Sequence, residues 1–214
     1  MKLTDINSKF SENKYIEPEF KKIENECRAD HIPIIDRDAA DLLKLQLKIK
    51  QPQNILEIGT AYGFSALILA KASPKNTKIT AVESDSKRAF KAKDNFIKYN
   101  YQSKIDLKVG DAFDILLYLK SDYDFIFLDA AKGQYFYLFE YLMELLAPGG
   151  LLISDNVLYK GKVLAEGKTG HKIRTMVNNL KKYLKLIMNH PELDSTIVAA
   201  GDGMAISRRK DINE

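Results

Sequence analysis

The chain has 214 residues, 45% apolar and 29% charged, with a formal net charge of +4. That length and apolar content exclude a disordered chain and allow one sizeable core, so a single α/β domain over 1–214 is the first expectation. Apolar stretches such as Phe125–Leu128 and Ala66–Ala70 fall far short of a membrane span, Met1–Asn13 lacks the apolar core of a signal peptide, and the single Cys27 excludes an intrachain disulfide framework; together they point to the cytoplasm.

In chain order, Ile16–Leu47 reads as two or three helices, so 1–50 forms an N-terminal cover on the ligand side of a core over 51–210. Short β-rich runs then alternate with longer helical ones, the pattern of a parallel sheet covered on both faces. The predicted strands are Asn54–Ile58, Lys78–Glu83, Ile105–Val109, Asp124–Asp129, Leu151–Asp155, Thr196–Ala200 and Met204–Ser207. Helices are predicted near Phe64–Ala72, Ser86–Asn100, Ala112–Leu119, Tyr135–Leu146 and His171–Met188. Pro148-Gly149-Gly150 is expected to end one helix and turn the chain into the next strand. Only Gly201-Asp202-Gly203 separates the last two strands, too short a link for a parallel crossover, so they form an antiparallel hairpin. The expectation is an α/β, Rossmann-like sheet: five parallel strands, then a reversed pair at the edge that leaves a reversed C-terminal strand, with helices on both faces.

The first strand runs into Glu57-Ile58-Gly59-Thr60-Ala61-Tyr62-Gly63-Phe64-Ser65. Gly59 lets the backbone turn off the strand end, and Gly63 is expected to admit close approach of a ligand at a helix N-terminus, where free N–H groups suit a carboxylate. The G-x-x-x-G spacing is not the G-x-G-x-x-G that lays a pyrophosphate against the helix, which favours a ligand bearing an amino-acid carboxylate. Glu83, at the end of the second strand, is placed for ribose hydroxyls. Gly110-Asp111-Ala112 follows the third strand, where Asp111 can reach an adenine amino group or cap the next helix. Three such positions at three successive strand ends indicate an adenosyl cofactor.

The fourth and fifth strands end at Asp129 and at Asp155-Asn156, on the same carboxyl edge. Two carboxylates and an amide oxygen suit a hard cation such as Mg²⁺, with coordination left for water and two substrate oxygens. The alternative is that Asp129 binds the cofactor's amino group while Asp155-Asn156 shapes a turn. His31, His171 and His190 show no zinc-like spacing with Cys27.

Between Lys160 and Lys185 stand eight Lys or Arg residues (160, 162, 168, 172, 174, 181, 182, 185) against one acid, Glu166, and Arg208, Arg209 and Lys210 follow at the C-terminus. Such grouping either neutralises a polyanion or forms a solvated helix face.

These residues carry a resemblance. His31-Ile32-Pro33-Ile34, Leu56–Ala66, Phe127–Tyr135 (with Asp129-Ala130-Ala131-Lys132), Ser154–Leu158 and Gly201-Asp202-Gly203 together resemble the catechol and caffeoyl-CoA O-methyltransferase family across about His31 to Arg209. The resemblance implies a class I methyltransferase fold using S-adenosyl-L-methionine, and a homodimer. It implies Mg²⁺ on Asp129, Asp155 and Asn156, with Asp129 near the cofactor's amino group. It also implies cofactor contacts at Ile35, Tyr62 and Ser65 beside the residues above, and Lys132 as acceptor of the substrate proton.

Within the family the chain looks most similar to bacterial tRNA 5-hydroxyuridine methyltransferases, because Tyr159-Lys160-Gly161-Lys162-Val163 replaces the uncharged turn of small-molecule members, and Glu19–Pro33 also resembles that group. The partner implied is a tRNA anticodon loop, with Lys160, Lys162, Lys172, Arg174, Lys181 and Lys182 as candidate phosphate contacts. Tyr135 and Tyr159 either flank an unstacked base or pack in the core.

Overall fold

A computed structural model describes residues 10, 12–120, 122–165 and 170–211. Its order is a 3-10 turn at Pro18–Phe20, α1 (Lys21–Ala29), α2 (Arg37–Lys50), β1 (Asn54–Ile58), α3 (Phe64–Ala72), β2 (Lys78–Glu83), α4 (Ser86–Lys98), β3 (Ile105–Val109), α5 (Ala112–Leu116), β4 (Tyr123–Leu128), a 3-10 turn at Lys132–Gln134, α6 (Tyr135–Leu145), β5 (Leu146–Ser154), α7 (His171–Met188), β6 (Leu193–Val198) and β7 (Met204–Arg209). Among these residues no helix is long and apolar enough to cross a membrane.

The seven strands form one sheet in the order β3-β2-β1-β4-β5-β7-β6. Neighbours among β1 to β5 pair in parallel, whereas β7 lies antiparallel to both β5 and β6. Of the expected reversed pair, therefore, only β7 runs against the sheet; it slots between β5 and β6. Pro148-Gly149-Gly150 is not the turn expected: α6 ends at Leu145, and these residues bulge within β5 between the pairs Tyr123↔Leu146 and Phe125↔Leu151.

Alternation along the central strands divides the core. Ile55, Phe125 and Phe127 face one side with residues of α1 to α4; Leu56, Ile58, Ile126 and Leu128 face the other with α5, α6 and α7. Each large apolar side chain buried this way contributes roughly 1.5–3 kcal/mol, so the sheet is held from both faces. The segment Tyr15–Glu26 belongs to this packing, with Ile16, Phe20 and Ile23 buried against the first cluster. On α7 the stripe Val177, Leu180, Leu184 and Ile187 is buried, while Arg174, Asn178, Lys181 and Lys185 line the opposite, exposed face.

Candidate functional site

Parallel pairing sets the carboxyl ends of β1, β2, β3, β4 and β5 side by side, and a cavity of about 1390 Å³ opens there. Gly59 begins the turn off β1 with φ +95°, and the position of an added Cβ lies 2.1 Å from the carbonyl oxygen of Asp129. A side chain there would force the β1 and β4 ends apart, so the sequence needs glycine at this point. Gly63 (φ +83°) starts α3, but a Cβ would strike Phe96 at 2.5 Å. Glycine there permits the left-handed turn and the packing of Phe96 on α4 against it.

Glu57 is fully buried beneath the turn, where Thr60 donates a hydrogen bond to it. Burial pushes its carboxyl up to about 7; the Ser65 and Thr60 hydroxyls pull it down, and the charges of Asp129 and Glu83 add to the rise. Glu57 thus supports the turn from below rather than lining the cavity. Glu83 does line it, and its two carboxylate oxygens accept from the backbone N–H groups of Ala61 (2.8 Å) and Asp85 (2.9 Å), tying the β2 end to the glycine turn. Asp111 lines the cavity and caps α5 by accepting from Phe113 N at 2.9 Å, with Ala112 beside it. Both roles considered for Asp111 are therefore compatible in space.

A second, smaller pocket adjoins the first. It lies between the strap joining α1 to α2, including Ile35, and the turn residues Tyr62 and Ser65, with Gly59, Ala61 and Asp129 common to both pockets. The strap is fastened: Tyr62 donates to Asp30 at 2.9 Å, and Lys91 on α4 reaches the same carboxylate at 3.2 Å. Hydrogen bonds from Tyr62 and Lys91 hold the Asp30 carboxyl below its usual range.

At the β4 and β5 ends, Asp129 and Asn156 line the large cavity, and Asp155 is fully buried next to them. Asp155 N donates to Leu128 O at 3.0 Å, and Asp155 Oδ1 accepts from Asn156 N at 2.7 Å. Its other oxygen, Oδ2, is buried without a hydrogen-bond partner. Burial first and the Asp129 charge second raise the Asp155 carboxyl to about 7, with Lys132 opposing. A buried carboxylate oxygen lacking a donor, beside a second carboxylate and an amide, is a donor set that fits a hard divalent cation. Among the described residues no group of three or more His, Cys, Asp and Glu gathers; a cation here would rest on Asp129, Asp155 and Asn156.

Lys132 lines the cavity and donates to Asp129 Oδ1 at 2.5 Å and to Tyr135 Oη at 3.1 Å. The Tyr135 ring is fully buried, edge-on to Tyr183 with centroids 5.5 Å apart, so Tyr135 does not flank a base. Tyr159 does line the cavity, with Lys160 next to it. That rim is held by the β6–β7 turn: Leu158 N donates to Asp202 O, and Lys160 N to both Asp202 carboxylate oxygens at 2.6 and 2.7 Å.

The basic residues separate into groups. Lys160, Arg174, Lys181, Lys182 and Lys185 are exposed; Lys162 is half-buried, 5.3 Å from the Tyr159 ring centre. Lys168 and the side chains of His171 and Lys172 lie outside the described residues. The C-terminal cations make contacts within the fold. Arg209 donates to the carbonyls of Met143 and Leu146 at the α6 end and pairs with Glu192, Arg208 pairs with Asp211, and Lys210 reaches Pro191 O. Asp36 and Arg88 also line the cavity, and no motif singled them out.

A family model described as O-methyltransferase matches residues 8–210. The chain is 34% identical over 174 residues to a catechol O-methyltransferase of Niastella koreensis, covering 77% of each. It is 31% identical over 206 residues to caffeoyl-CoA O-methyltransferase 2 of Populus trichocarpa, covering 90% of this chain and 83% of that one. A solved O-methyltransferase from Bacillus cereus in complex with SAH superposes with a TM-score of 0.84 at 25% identity, covering 97% of each chain.

Proposed function

The chain belongs to the O-methyltransferase family, and from that premise we propose that it is an S-adenosylmethionine- and Mg²⁺-dependent enzyme that methylates the 5-oxygen of wobble 5-hydroxyuridine in tRNA, giving 5-methoxyuridine. When bound, the cofactor supplies a sulfonium methyl group, and the cation supplies a Lewis acid that acidifies the acceptor hydroxyl. Asp129, Asp155 and Asn156 would hold the cation. The adjacent 5-hydroxyl and 4-carbonyl oxygens of the base resemble a catechol's pair and suit the same three donors.

The residues divide the work. Glu83 and Asp111 offer acceptors to the ribose and adenine, while the glycine turn and the strap bearing Ile35 enclose the amino-acid end. Lys132, as the neutral amine, takes the proton of the acceptor hydroxyl. The oxygen's electron pair forms the new C–O bond as the methyl–sulfur bond breaks, leaving S-adenosylhomocysteine. Water exclusion by the cavity walls and alignment of acceptor with donor supply much of the rate.

The single observation behind the tRNA acceptor is the placement of Lys160 on the rim of the cavity that Asp129 and Lys132 line, in a chain that continues to the exposed cations Arg174, Lys181 and Lys185 of α7. Those charges would neutralise phosphates either side of a base that enters the cavity. Its volume, about 1390 Å³, exceeds the ~300–1,000 Å³ of usual small-molecule pockets, leaving room for the cofactor and a nucleoside together. A small diol as acceptor is the second reading, favoured by the catechol and caffeoyl-CoA relatives. Charge reversal at Lys160, Arg174 and Lys181 separates them. Transfer to tRNA should fall at least about tenfold and lose its salt dependence while transfer to a catechol is unchanged; unchanged transfer to tRNA would remove the RNA reading.

A further inference from the structure

We infer that Tyr135 is a positioning residue, whose hydroxyl holds the Lys132 amine in place at the wall of the cavity where the acceptor enters. The inference rests on the methyltransferase reading above, in which Lys132 takes the acceptor's proton.

The tyrosine's ring and its hydroxyl have separate tasks. The ring is fully buried between α6 and α7, packed edge-on against Tyr183, and a phenylalanine would fill the same space. The hydroxyl stands at the junction of the two strand ends that carry the site. It lies 3.0 Å from Leu128 O, the residue before Asp129, and 3.1 Å from Asp155 O, with its one proton to share between them. Its oxygen accepts from Lys132 Nζ at 3.1 Å. A phenol hydroxyl both donates and accepts, so it serves the carbonyls and the lysine at once.

A lysine amine is tetrahedral. Of the three positions beyond Cε, one N–H goes to Asp129 Oδ1 and one to Tyr135 Oη. The third is left for the acceptor, and Lys132 lines the cavity. With Asp129 as sole anchor the amine could rotate about that one contact. A second anchor, on α6, limits that rotation. Should Asp129 turn to a cation, Tyr135 is the anchor that stays.

The test compares Tyr135→Phe with Tyr183→Phe, which removes a buried hydroxyl bonded to Ser154 and leaves both anchors of Lys132 in place. Two readouts are taken on folded, cofactor-binding protein. One is the rate at which acetic anhydride acylates Lys132, followed by mass spectrometry against Lys160 and Lys182 as internal standards. The other is the steady-state split for the acceptor that the wild type methylates. For Tyr135→Phe, Lys132 acylation should rise severalfold, and kcat should fall about 2- to 10-fold, the effect of losing one hydrogen bond between neutral groups, with KM nearly constant. Tyr183→Phe should move neither readout. If Tyr135→Phe does not fold, 3-fluorotyrosine placed at position 135 keeps the ring and weakens the acceptor oxygen, and should shift acylation in the same direction. Wild-type acylation of Lys132 in the variant, or altered acylation with an unaltered kcat, would overturn the inference. A wild type that transfers methyl groups to no acceptor would instead sink the methyltransferase reading, while the acylation arm still decides the anchor.

Discussion

The backbone carbonyl of Asp129 occupies the space that a Cβ on Gly59 would need, 2.1 Å from its ideal position. The turn that leaves β1 and the strand end that carries Asp129 are therefore in direct contact. Gly59→Ala adds both that clash and a left-handed side chain, so it should destabilise the protein by about 2 kcal/mol or more. Thermal melting and titration with S-adenosylmethionine check this. A variant that melts and binds like the wild type would show that the β1 and β4 ends can separate freely.

Asp155→Asn tests the cation site without a cavity or a change of shape. The buried carboxylate is held unfavourably in the absence of a counter-charge. The variant should therefore melt no lower than the wild type in EDTA. Magnesium should raise the melting temperature of the wild type alone, and methyl transfer by the variant should fall by more than the ~10-fold seen when even an indirect partner of a metal is lost. Equal magnesium responses in the two proteins would exclude Asp155 as a ligand.

Much of this arrangement was legible in the sequence because it is written in local signals. The β1, β2, β3, α3 and α7 bounds follow from apolar runs and glycine punctuation, and Asp129, Asp155 and Asn156 fall at strand ends by simple counting. What escaped was set by tertiary contact. Nothing in Pro148-Gly149-Gly150 says that the turn is absorbed as a bulge in β5, because that depends on where β4 pairs. Gly63 and Glu57 read as ligand contacts, since glycine and acid in such a turn fit that role. The sequence does not show the packing of Phe96 against Gly63 or the depth of Glu57 below the surface, because both depend on tertiary contact. Nothing local to Arg208 and Arg209 announces their contacts with Asp211, Glu192 and the α6 carbonyls. The Tyr135 hydroxyl did leave a trace, three residues after Lys132 on one helical turn, but spacing alone does not distinguish it from a core tyrosine.

Glu57 makes stability depend on pH. Its folded-state value of about 7 lies above the ordinary 4.5, so the folded protein binds the extra proton between those values. Its contribution is fully present below about 4.5 and is lost as pH rises through about 7. Melting of the metal-free protein should thus decline across that window, by an amount on the order of 1–3 kcal/mol. Glu57→Gln should make the decline shallower, leaving the part that the similarly raised Asp155 carboxyl contributes. A profile identical in both proteins would mean that Glu57 is ionised in the fold throughout.

The rim of the cavity depends on Asp202. Its carboxylate is the acceptor for Lys160 N, and its carbonyl for Leu158 N. Asp202→Ala releases the side-chain part of this hold, at a cost of about 1–3 kcal/mol locally. KM for a tRNA acceptor should rise severalfold with little change in the affinity for S-adenosylmethionine. Equal KM values would show that the Lys160 position does not matter to the acceptor.

The central claim is metal-dependent methyl transfer to a hydroxylated tRNA base, and the direct measurement uses methyl-labelled S-adenosylmethionine. Parallel reactions contain tRNA bearing 5-hydroxyuridine or a simple catechol, each with Mg²⁺ and with EDTA. The account predicts label in the tRNA at much higher efficiency than in the catechol, abolished by EDTA and carried by 5-methoxyuridine after digestion. Efficient labelling of the catechol with none in the tRNA would contradict it, leaving Asp129, Asp155, Asn156 and Lys132 as the machinery of a small-molecule enzyme and the cations of α7 as a solvated face.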